Sequence, residues 1–182
     1  MRVGEYDIKA PLFLGGDENE AEVLGASVWL WMHSPLHRDA PLHALPTLLL
    51  PIIKRRQYVL IARDEQPIFF LSWAWLDEEA EARFLTRPSI EMREEDWQSG
   101  DRMWFCDWIA PFGDTAAMNA LMRSDFFADS YARALYHRGA ERGKRVVMFH
   151  GNNGTRKAAR DWQQTHPLAV NLPEVFKGMH DE

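Results

Sequence analysis

The run Trp104-Phe105-Cys106-Asp107-Trp108-Ile109-Ala110 constrains the fold of this chain more than any other segment. It is apolar and aromatic apart from one acid and stops at Pro111 and Gly113, a pattern that predicts a buried β-strand. An ionised carboxylate there is costly unless something pairs with it. Strict alternation puts Asp107 on the face of Phe105 and Ile109, with Trp104, Cys106 and Trp108 on the other. Asp107 therefore needs a partner, structural or catalytic, and the rest of the sequence has to supply it.

Around that strand the hydrophobic period changes several times. Residues 1–20, broken by Gly15-Gly16, read as a flexible N-terminal arm preceding a domain over 21–182. A helix is predicted from Glu20 to Met32, with Leu24, Val28 and Trp31 on one face and Ser34-Pro35 at its end. A second helical stretch, Pro41 to Arg56, must be kinked or divided by Pro46 and Pro51. Tyr58–Ala62 and Ile68–Leu76 read as strands joined by a turn, and Asp77–Phe84 as a short acidic helix. Residues 86–101 form a polar loop. Asp114 is placed as the cap of a helix running to Tyr136, with a break near Ser124 and Gly139 as its stop. Arg145–Phe149 is a last strand, Gly151–Gly154 a turn, and Thr155 opens a helix through Thr165. This order predicts a single α+β domain with a central, mostly antiparallel sheet flanked by helices.

Length and charge narrow the function classes. A chain of 182 residues is enough for one well-formed core. The net charge of -6 gives no electrostatic support for nucleic-acid binding. The single cysteine allows no intrachain disulfide framework and fits a reducing cytosol. No run approaches the ~18 apolar residues of a membrane span, and the acid-rich N-terminus is not a secretory signal. The eight tryptophans imply a large core or a cavity lined by rings.

Asp107's partner is sought among seven histidines, of which His33 and His37 stand together. Their spacing suits a helical metal pair, but Pro35 interrupts the helix and no third ligand is evident, so no metal site is assigned. Gly139–Lys144 lacks the spacing and the Ser/Thr of a phosphate loop, and no G-x-S-x-G is present. Alternation turns Cys106 away from Asp107. Lys54-Arg55-Arg56 is a solvated helix end or a docking patch for an acidic partner.

Several blocks then occur in a telling order: Leu24-Gly25, Trp29-Leu30-Trp31, Ser34-Pro35-Leu36-His37-Arg38, Gln57-Tyr58-Val59-Leu60, Ser72-Trp73-Ala74, Asp96-Trp97, Ser99-Gly100-Asp101-Arg102 and Trp104 through Gly113. Together they resemble the RTX toxin-activating lysine acyltransferases of the haemolysin-activator type, over about residues 22 to 114 and more weakly at Phe149-His150-Gly151. The resemblance implies a fold similar to the GCN5-like N-acetyltransferases, although their CoA-pyrophosphate signature is missing. It implies a cytoplasmic, homodimeric enzyme with no bound cofactor. Such an enzyme moves a fatty acyl chain from acyl-carrier protein to internal lysines of an RTX protoxin. It assigns the essential histidine to His37, the essential acid to Asp107 and a supporting position to Ser34. Ala40, where some relatives carry a bulky aromatic, and the extra histidines His33 and His43 depart from the pattern.

These residues suit the reaction. A lysine amine, with an ordinary pKa near ~10.4, is protonated at neutral pH and needs a base. Histidine is the side chain best matched to that task, and a carboxylate on its other ring nitrogen fixes the tautomer and stabilises the imidazolium. The same residues also allow a covalent route in which His37, or Ser34 activated by it, first takes the acyl group; direct transfer needs fewer specific groups. The rings of Trp29, Trp31, Phe70, Trp73 and Trp104 are candidates to line an acyl slot. Lys54, Arg55 and Arg56, or Arg142, Lys144 and Arg145, are candidates to dock the acidic carrier protein. Two competing readings are an acyl-CoA-dependent N-acyltransferase for a small amine and a non-catalytic toxin-binding partner.

Overall fold

The computed structural model describes residues 1–136 and 145–171. Its strands are β1 (Arg2–Val3), β2 (Tyr6–Lys9), β3 (Tyr58–Arg63), β4 (Gln66–Leu76), β5 (Arg102–Ile109), β6 (Tyr131–Leu135) and β7 (Val146–His150). They form one sheet whose spatial order equals their chain order. Every pairing is antiparallel except β5 with β6. The helices are α1 (Pro11–Leu14), α2 (Glu20–Met32), α3 (Leu45–Leu48), α4 (Leu50–Lys54), α5 (Glu78–Thr86), α6 (Thr115–Leu121) and α7 (Arg156–Thr165). The architecture is the predicted α+β arrangement and is consistent with the GCN5-like fold that the resemblance implies.

Local chemistry explains most boundaries. Asn19 caps α2 by accepting from Ala21 and Glu22, and Thr155 caps α7 by accepting from Ala158. Pro46 and Pro51 lie in the first turns of α3 and α4, where a missing N–H costs nothing, and so divide the second helical stretch. Asp64 and Glu65 both take positive φ in the β3–β4 hairpin, the twist a two-residue turn requires. Gly151 lies against the backbone of Phe127 and Ala128; a Cβ there would meet the Phe127 oxygen at 2.0 Å.

Four expectations need correction. Where the sequence suggests a flexible arm, β1 and β2 extend the sheet along β3, and Ile8 is fully buried; segments this short carry too few alternations to register as strands. The helix expected to reach Tyr136 ends at Leu121, continues as one π turn (Met122–Phe126), and gives way to β6. Asp114 precedes α6 without capping it; its carboxylate instead takes the Arg63 guanidinium at 3.0 and 3.4 Å. The buried face of α2 is Val23, Ser27, Leu30 and Trp31, with Leu24 and Val28 only partly covered. The predicted stop at Gly139 lies outside the described residues.

The sheet separates two apolar layers. On one side α2, α4 and α5 pack Leu30, Trp31, Ile52 and Phe84 against Phe70, Trp104 and Ile109. On the other, Met118 of α6 with Met122 and Phe127 packs against Phe69, Trp73 and Phe105. Strict alternation fails in β5. Ser72 pairs with Asp107 while Trp73 pairs with Phe105, so Cys106 is a bulge residue. The extra residue turns Asp107 to the α2 side, shared with Trp104 and Ile109 but not with Phe105. A second irregularity lies beside it: among the described residues β5 and β6 pair only at Trp104↔Arg133 and Phe105↔Ala134, and beyond Phe105 β5 runs on to Ile109 paired with β4 but no longer with β6.

Candidate active site

The site begins where α2 stops. His33 is the C-cap, and Pro35 has no N–H with which to continue the helix. The chain turns, with the N–H groups of His37 and Arg38 both donating to the Ser34 carbonyl at 3.0 Å. That turn brings Ser34 Oγ within 2.8 Å of His37 Nδ1. The opposite ring nitrogen, Nε2, lies 3.2 Å from Asp107 Oδ1. The imidazole also rests against the Trp31 ring at 4.9 Å.

Asp107 is 6% exposed, and its second oxygen is satisfied as well. The Ser72 hydroxyl donates to Asp107 Oδ2 and accepts the Asp107 backbone N–H at 3.2 Å. Ser72 therefore closes the bulge and orients the carboxylate at once. An ionised Asp107 only accepts, so it selects the tautomer with hydrogen on Nε2. Nδ1 is then left with a lone pair, to which Ser34 donates. A hydrogen-bond chain runs from Ser34 through His37 to Asp107, the arrangement used to activate a nucleophile or to draw a proton from one.

Two cavities meet at this path. One, of about 410 Å³, opens beside the end of β5 that β6 no longer pairs; Ser34, Phe105, Trp108, Leu135, Met148 and Phe149 are among its mostly apolar walls. The other, of about 290 Å³, lies on the α2 side and holds His37, Asp107, Trp31, Trp97, Phe84 and Cys106. Phe105 and Leu135 border both. A hydroxyl facing one cavity is thus bonded to a base facing the other.

A family model described as the RTX toxin acyltransferase family matches residues 16–150. The chain belongs to this family. Similar members include the RTX-I toxin-activating lysine-acyltransferase ApxIC of Actinobacillus pleuropneumoniae, 46% identical over 81% of this chain and 86% of the relative. A protein-lysine myristoyltransferase of Escherichia coli is 42% identical over 88% of this chain and 86% of its own length. Another, from Kingella kingae, is 43% identical over 75% and 80% respectively.

In this RTX acyltransferase the structure brings Ser34, His37 and Asp107 together, and leaves the other expected site groups elsewhere. Lys54, Arg55 and Arg56 sit at the far end of α4, where Arg55 donates to the Pro51 carbonyl at 3.2 Å and Arg56 to Asp17 at 2.7 Å. Arg142 and Lys144 lie outside the described residues, and Arg145 packs over the Tyr136 ring at 5.0 Å. Of the five rings expected to line an acyl slot, only Trp31 borders either cavity; Phe70, Trp73 and Trp104 are core. His33 is held apart from His37 by its bond to the Trp29 carbonyl at 2.8 Å and by the rings of Trp29 and Phe112. Cys106 is not turned away from Asp107, because the bulge brings both to one cavity. Burial and the Asp107 charge push its thiol well above the ordinary range, which keeps it protonated and unreactive. Ser72 was missed by sequence reasoning. Its one signal is a hydroxyl inside the otherwise apolar run Ile68–Leu76.

Proposed function

We propose that this acyltransferase moves a fatty acyl chain from acyl-carrier protein to internal lysines of an RTX protoxin, and acts in the cytoplasm as a homodimer without a resident cofactor. The observation that carries the reaction is the Ser34–His37–Asp107 chain at the junction of the two cavities. The toxin substrate and the lysine acceptor are supported by the names of the similar proteins. The carrier-protein donor, the compartment and the dimer rest on the family resemblance.

In this reading the 410 Å³ cavity takes the hydrocarbon, since its walls offer apolar contact over a volume in the range of small-molecule sites. The thioester carbon then lies near Ser34. The lysine ammonium gives one proton to solvent, the neutral amine attacks that carbon, and a second proton passes from the nitrogen to His37 Nδ1, directly or through the Ser34 hydroxyl. Asp107 stabilises the imidazolium from the Nε2 side. Collapse of the tetrahedral intermediate breaks the C–S bond, leaves an amide C–N bond, and returns the proton from His37 to the departing thiolate. General base assistance of this kind contributes about 10²–10⁴-fold.

The test incubates purified protein with C14- or C16-charged acyl-carrier protein and a cognate protoxin, and measures intact toxin mass. An acyl-sized mass increase that disappears in His37→Ala supports the reading. Transfer from acyl-CoA but not from the carrier protein would replace the donor. Toxin binding without any mass increase would replace the enzyme with a binding partner. A stable acyl adduct on the enzyme in the absence of toxin would replace direct transfer with the covalent route.

A further inference from the structure

The larger cavity takes the hydrocarbon in the scheme above, and the smaller one, of about 290 Å³, is left without an occupant. Its volume falls at the lower edge of small-molecule sites. The buried rings of Trp31, Phe84, Trp97 and Phe105 are among its walls, together with Asp107 and His37. Its lining also includes Ser89, which is exposed, and Leu48, which is half-buried. These belong to the Ser89–Glu91 turn and to α3, which pack together and mark where the cavity opens to solvent.

We propose that this cavity receives the acceptor lysine, with its four methylenes along the aromatic walls and its ammonium against Asp107. Charge decides between the two substrates. With His37 neutral, Asp107 is the only charged residue among the described residues that line the cavity. A hydrocarbon there would take water from a carboxylate and return nothing. An ammonium supplies the opposite charge and three donors. The carboxylate has sites left to accept them, because it offers about four and His37 and Ser72 use two. A lysine suits such walls, since its stem covers apolar surface while its head group keeps a polar partner.

The proposal also separates the two substrates in space. Ser34 lines the larger cavity, Asp107 lines the smaller one, and His37 is held between them by a different ring nitrogen on each side. Donor and acceptor therefore reach the base from opposite sides. Asp107 holds the side chain only while it is an ammonium. Once the first proton has left to solvent, the neutral amine is free to move along the shared walls, Phe105 and Leu135, toward the thioester carbon near Ser34.

The proposal rests on the acyltransferase reading above, and the wild-type assay tests that reading separately: no transfer by the wild type overturns the reading itself. The lysine position is read without activity, from the indole 1H–15N signals of the labelled protein, assigned with Trp31→Phe, Trp97→Phe and Trp108→Phe. Trp31 and Trp97 line the smaller cavity and Trp108 the larger. Nα-acetyl-lysine methylamide is expected to displace the Trp31 and Trp97 signals and to leave Trp108 in place. The norleucine counterpart, which lacks the ammonium, is expected to bind about tenfold more weakly. Displacement of Trp108 alone, displacement of none of the three, or equal affinity for both amides overturns the proposal. Given transfer, Ser89→Trp narrows the mouth from an exposed position. It is expected to raise KM for the protoxin about tenfold and to leave KM for acyl-carrier protein within about twofold. Ser89→Glu should show a lower protoxin KM than Ser89→Arg, by a margin that shrinks as salt is added. A Ser89→Trp enzyme in which both KM values rise alike, or neither rises, overturns the proposal.

Discussion

Two of the carboxylates buried on the α2 side of the sheet are treated oppositely. Glu81, in α5, is fully buried and accepts from Arg102 Nη1, Arg133 Nη1, Trp104 Nε1 and the Ala169 N–H, each at 2.8 Å. Its cations are guanidinium groups, which stay charged at any working pH even though burial pulls Arg133 below its usual value. Arg102 and Arg133 also donate to the carbonyls of Pro167 and His166, so the cluster ties the segment after α7 to the sheet. Asp107 has one serine hydroxyl, the Asp107 N–H bond that the same hydroxyl accepts, and an imidazole that can gain or lose a proton. A carboxylate surrounded by permanent partners holds the fold together. One paired with a titratable partner at a cavity wall is available for chemistry.

The comparison can be broken in four ways. Asp107→Asn keeps the shape, removes the charge and reverses the tautomer preference of His37. The expected result is a loss of about 10²–10⁴-fold in kcat with little change in Tm, read by toxin mass and thermal denaturation. Glu81→Ala strands two buried guanidinium groups, and should cost about 3–5 kcal/mol in urea unfolding while the surviving folded fraction keeps its kcat. A result with the two effects exchanged would reverse the assignment of roles. Ser72→Ala sits between them: it loses one buried donor and one acceptor, about 1–3 kcal/mol, and should lower kcat by roughly tenfold through a misplaced Asp107, with Ser72→Thr restoring most of the activity. Cys106→Ala should leave kcat unchanged, and the wild-type thiol should resist iodoacetamide at pH 8, because a thiol pushed upward stays protonated there.

Much of this was legible in the residues. Apolar alternation located β3, β4, β5 and β7, and the blocks around His37 and Asp107 marked the two side chains that the structure pairs. Three features were hidden for different physical reasons. The Cys106 bulge depends on how β4 and β5 register, which no single strand encodes, so alternation assigned Asp107 to the wrong neighbours. Tyr131–Leu135 has Ala at two of its five positions, and its strand character comes from pairing with β7 and not from its own propensity. Glu81 follows Glu78 and Glu79 in an acidic helix; only the helix's docking, with Ala80 and Phe84 inward, distinguishes the core carboxylate from its solvated neighbours.

The strand β2 has a consequence beyond the edge it forms. The chain leaves the sheet at Lys9 and returns at Tyr58, and Lys9 pairs with Leu60. Everything from α1 to α4, including Ser34 and His37, is therefore a loop fastened at both ends to the sheet that carries Asp107. The entropy lost in bringing His37 to Asp107 is settled once, when that loop closes during folding. The His37–Asp107 pair is therefore in place before any substrate arrives.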